Sequence, residues 1–143
     1  MSKVAVKVEH LPTITEIEMD ASKLNSLLQP LGLRELHLWD SRYWYTTHED
    51  WGRVFERVLL DMPKYTAEKF DCENYSMLAS ARTSELFKLN TLGIAIGQSP
   101  LGYHGFNIFV SDAGLYYLEP QSADIYNVAE NSGYKAELAI FGG

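Results

Sequence analysis

Only one cysteine, Cys72, occurs in the 143 residues. No disulfide can form within the chain, and a zinc site built from several cysteines is excluded. The chain also lacks any run of Lys or Arg. Twelve basic residues against nineteen acidic ones leave a formal net charge of −7. That argues against a nucleic-acid partner, which needs clustered cations to neutralise phosphates. No stretch approaches eighteen apolar residues, so the sequence offers no membrane-spanning helix. The opening MSKVAVKVEHLP has neither the apolar core nor the small-residue cleavage site of a signal peptide. With the lone thiol, this sets the expectation of a cytoplasmic, reducing location. Internal repeats, low-complexity tracts and linker-like segments are missing too.

What is present suits one folded domain. A 46% hydrophobic and 22% charged composition is ordinary for a compact chain of this length. The expectation is a single domain over residues 1–143, with N-terminal strands and a short helix up to residue 40 and a core from 41 onward. Strand-like runs occupy residues 3 to 8 and 13 to 19, and Ser22 can cap a short helix carrying Leu24, Leu27 and Leu28. RYWYTT, residues 42 to 47, leads into a helix capped by Thr46 or Thr47. There Trp51, Val54, Phe55, Val58, Leu59 and Met62 recur at helical spacing, and Pro63 ends the pattern. A second helix is expected from Asp71 or Cys72 to about Leu89. Five strand-like runs follow, at 92–97, 104–110, 115–119, 124–128 and 136–141, with SDAG at 111–114 as a hairpin signal. Helices in the middle followed by sequential hairpins point to an α+β domain with a mainly antiparallel sheet.

Three residues could carry chemistry. Cys72, in FDCENYS, sits where a helix N-terminus would favour a thiolate. A lone cysteine is more often a small buried apolar residue, and the flanking Asp71 and Glu73 oppose ionisation. His104, in GYHGFN, lies between Gly102 and Gly105, which allow close approach of backbone or ligand. His10, His37 and His48 read as structural. A third group would fix the imidazole. Asn107 lies three residues along the strand and so on the other face. If Val110 pairs with Leu115, Glu119 falls diagonally from His104 on one face; a bulge at Gly114 would reverse that.

These segments, FDCENYS, YHGFNIFV and LYYLEPQS, together resemble the papain-like cysteine peptidase domain at the C-terminus of the Marasmius oreades agglutinin, to which small phage domains are related. The resemblance spans roughly residues 40 to 128. It implies a papain-like or transglutaminase-like fold and a Cys72, His104, Glu119 triad cleaving a peptide or amide bond through a thioester. It implies calcium as a possible activator, with Asp40, Asp71 and Glu73 the nearest acidic residues. Thr66 stands where the family's oxyanion glutamine would be, and Asn74 or Gln121 is the alternative donor. No lectin repeats precede the domain, so sugar binding does not carry over. The competing expectations are a non-catalytic binding or phage accessory domain that keeps the fold, and a transglutaminase-type acyltransferase.

Overall fold

The computed structural model describes residues 10–142; the strand expected at 3 to 8 lies outside them. The elements follow the order β1 (Ile17–Asp20), α1 (Ala21–Leu28), β2 (Glu35–Leu38), β3 (Arg42–Tyr45), α2 (His48–Val58), α3 (Cys72–Phe87), β4 (Leu92–Ser99), β5 (Gly102–Ser111), β6 (Gly114–Glu119), β7 (Asp124–Asn127) and β8 (Lys135–Phe141). Six strands form one sheet in the order β2-β8-β4-β5-β6-β7, and β1 pairs with β3 in a two-stranded ribbon. All neighbours are antiparallel except β2 and β8. The α+β class and the mainly antiparallel sheet are therefore present.

Local chemistry explains most boundaries. Thr47 caps α2 by accepting from the Asp50 N–H at 3.1 Å. Asp20, rather than Ser22, caps α1, accepting from Lys23 N–H at 2.8 Å. α2 stops at Val58, five residues short of Pro63, and Asp61 then takes a positive φ of 52°. Arg82 of α3 donates to the carbonyls of Val58 and Leu60, which satisfies the end of α2. β2 was not foreseen. Its alternation is weak, and its partner β8 lies a hundred residues away, so only tertiary pairing makes it a strand.

The six-stranded sheet is buried on both faces. One face packs Phe106, Ile108, Val110, Ala95 and Tyr117 against Leu24 and Leu28 of α1 and Tyr43 of β3. The other packs Phe109, Leu92 and Leu118 against Trp51, Val54 and Phe55 of α2 and Ala79 of α3. Alternation along β5 therefore decides which helix each side chain meets. Even-numbered residues from His104 to Val110 face α1, and odd-numbered ones face α3. The β5–β6 turn has Asp112 and Ala113 at its tip, with Ser111 paired to Gly114 and Val110 to Leu115. Tyr116 is half-buried, and Tyr117 is buried with its hydroxyl bonded by the Ala136 N–H.

Candidate functional site

The N-terminus of α3 rests on the start of β5. Asn74 Oδ1 accepts from the Asp71 N–H at 3.1 Å and fixes the helix entry. The contact with β5 is made by backbone. A Cβ placed on Gly105 would come within 3.1 Å of both Cα and N of Glu73, so only glycine lets helix and strand approach so closely. Gly105 donates its N–H to Cys72 Sγ at 3.3 Å, and the thiol lies 3.3 Å from Glu73 Oε2.

The imidazole is held by different partners. His104 Nε2 lies 2.7 Å from Glu119 Oε1, with both side chains almost wholly buried. Tyr134 donates its hydroxyl to the same oxygen at 2.9 Å, and the Gln121 N–H donates to Glu119 Oε2 at 3.2 Å. Three donors on one buried carboxylate make this a satisfied network. Phe106 stacks beside the His104 ring at 6.3 Å, and Tyr126 stacks on Tyr134 at 5.0 Å. Asn107 points the other way, as its parity requires, and donates to Ser76 O of α3 at 3.1 Å.

Electrostatics separates the thiol from the carboxylates around it. Burial raises the Cys72 pKa, and Glu73 and Asp71 raise it further, against the lowering effect of the Gly105 N–H. Glu73 is shifted down, first by its own backbone N–H at the helix start and then by the thiol. Asp71 is shifted up by burial and by Glu73. The positive end of α3 is thus already matched by the Glu73 carboxylate, and Cys72 stays a protonated thiol. Tyr134 is also pushed well up, by burial and then by Glu119.

The three residues singled out in the sequence come together at one end of α3. Cys72 meets β5 at Gly105, while the neighbouring His104 turns to Glu119 and still acts electrostatically on Glu73 beside the thiol. Sequence reasoning missed Tyr134, the fourth member of the network; nothing in SGYKAEL marks a tyrosine as a partner of a strand-end glutamate. Thr66 lies exposed in the α2–α3 loop, bonded to Phe70 and the Lys64 carbonyl. Among the described residues, no group of three or more His, Cys, Asp or Glu side chains is arranged to hold a metal ion.

The structure is similar to two solved structures of a lectin from Polyporus squamosus. One is a complex of the lectin PSL1a with E64, at 21% identity and a TM-score of 0.69, covering 87% of this chain. The other holds the epitope Neu5Aca2-6Galb1-4GlcNAc, at 18% identity and a TM-score of 0.68, again over 87% of the chain. The fold is one found in fungal lectins. The chain spans about half the length of each, 51% and 49%. No family model matches the chain, and neither does any curated protein.

This finding corrects two expectations. The cysteine hydrolase with its peptide or amide substrate, and the papain-like assignment behind it, give way, because the matching structures are lectins with a glycan epitope and E64 bound. The fungal-agglutinin side of the resemblance agrees with them at the level of fold. The geometry supplies a reason for the first correction. A thiol kept protonated by burial and by two neighbouring carboxylates is poorly set for nucleophilic attack.

Proposed function

We propose that this domain is a non-catalytic binding module, and that the α3–β5 junction, with Cys72, His104 and Glu119, is where it holds a neutral, hydroxyl-rich ligand such as a glycan. The observation that carries the reading is the state of the junction. Glu73 and Asp71 are acceptors at a half-buried rim, Cys72 is a neutral thiol beside them, and the buried His104–Glu119–Tyr134 network braces the strand ends beneath. Carboxylates at a fixed separation suit pairs of sugar hydroxyls, while the same charges repel an anionic ligand. The ligand-bound lectins of similar fold support a binding role over a catalytic one.

The test is a titration of the protein with neutral N-acetyllactosamine, followed by NMR of the Gly105 and Glu73 amides, with E64 incubation in parallel. The reading expects saturable shifts at these amides that vanish in Glu73→Ala, and an intact-protein mass unchanged after E64 treatment and denaturation. No shift at these amides would sink it. So would a lasting mass gain of one E64 on Cys72, or cleavage of a peptide.

A further inference from the structure

The opposite end of α3 opens onto a second cleft, of about 420 Å³, whose lining includes Asp40, Arg42, Trp44, Ser84, Lys88 and Asn90. We infer that this cleft binds a sugar unit bearing a carboxylate. The inference stands apart from the reading of the Cys72 end and shares no residue with it.

Three observations carry it. The first is charge. In a chain of net charge −7, this lining brings together two cations, Arg42 and Lys88, and one carboxylate, Asp40. Lys88 Nζ donates to the neutral Glu85 carbonyl at 2.9 Å. Arg42 Nε is ion-paired with Glu18, so its charge is already matched and Lys88 is the cation that meets a ligand carboxylate. The second is conformation. Lys88 closes α3 with φ 59° and ψ 34°, a left-handed position where glycine costs least. A lysine there is strained backbone that keeps a cation at the mouth of a cleft. The third is rigidity. Asn90 Oδ1 accepts from Trp44 N–H at 2.7 Å, and Asn90 Nδ2 donates to Asp40 Oδ2 at 2.9 Å and to the Arg42 carbonyl at 3.0 Å. One amide thus locks three lining residues, which lowers the ordering cost of binding. Half-buried Trp44 offers an aromatic surface for the apolar face of a pyranose. Asp40 can accept from ring hydroxyls while Lys88 takes the carboxylate.

The experiment is an NMR titration of the intact domain, reading the Trp44 indole N–H, with sialylated Neu5Aca2-6Galb1-4GlcNAc and with its desialylated disaccharide. The expected result is a saturable Trp44 shift with the sialylated probe alone. In Lys88→Gly the affinity should fall roughly tenfold, as for a lost charged hydrogen bond. The same variant should melt at an equal or higher temperature, because glycine relieves the left-handed strain. A merely structural lysine would show the melting change without the loss of binding. Equal shifts with both probes, no shift with either, or wild-type affinity in Lys88→Gly would each overturn the inference.

Discussion

The two ends of α3 are built from opposite chemistry. At its N-terminus stand Asp71, Cys72 and Glu73, with a buried carboxylate network beyond the strand. At its C-terminus stands Lys88, facing a cleft that also holds Arg42. Sixteen residues set these ends about 24 Å apart. The helix dipole favours this arrangement, since negative groups gain at the amino end and positive groups at the carboxyl end. The comparison teaches that a cysteine at a helix start is not by itself an ionised one. The favourable potential goes to whichever acid titrates first, and here that is Glu73.

The strongest way to break the comparison is at Glu119. Glu119→Ala strips the partner from His104, Tyr134 and the Gln121 N–H together, and should cost about 3 kcal/mol. Thermal unfolding should fall by roughly 10 °C for a chain of this size. Lys88→Ala, at the other end, should leave the midpoint within a degree or two. Equal losses at both ends would mean that the network has no special role.

Gly105→Ala comes next. The added Cβ would press on the Glu73 backbone, so helix or strand must shift, at a cost of about 1–3 kcal/mol in denaturant unfolding. A neutral outcome would show that the junction is loose.

Alkaline titration sharpens the contrast further. Cys72 and Tyr134 both have raised pKa values in the folded chain, from ordinary values of 9.0 and 10.0. Their protonated forms are favoured by folding, so the native state holds more protons than the unfolded one above pH 9. Stability from these groups is complete below pH 9 and declines as pH rises through their shifted values. Denaturation midpoints should drop between pH 9 and 11, and drop less in the double variant Cys72→Ser, Tyr134→Phe. An unchanged slope in that variant would place the sensitivity elsewhere.

The smallest effect has the opposite sign. Lys88→Gly should stabilise the chain by about 1 kcal/mol by removing a left-handed side chain. Destabilisation would show that the lysine stem is needed for packing.

How much of this was legible in the sequence depended on range. Thr47 as cap, α2 and α3, and the β5–β6 register follow from local spacing and turn chemistry, and that register puts Glu119 beside His104. β2 escaped because its strand character comes from a partner at the far end of the chain. The polar residues of α3 that are buried were not legible: Ser76 and Thr83 take core positions by bonding to carbonyls, Phe106 O at 2.8 Å and Ala79 O at 2.8 Å. The site residues were visible as types but their state was not. Whether Cys72 is a nucleophile depends on Glu73, and both carboxylates flanking the thiol carried that warning.

The central claim is that Cys72 is held as a neutral thiol at a binding site. The direct measurement is the rate of iodoacetamide attachment to Cys72 from pH 6 to 11, read by mass spectrometry in the wild type and in His104→Ala. The account predicts slow labelling at pH 7, a single rise beginning above pH 9, and the same pH 7 rate in both proteins. A fast plateau between pH 6 and 8 that disappears in His104→Ala would contradict it.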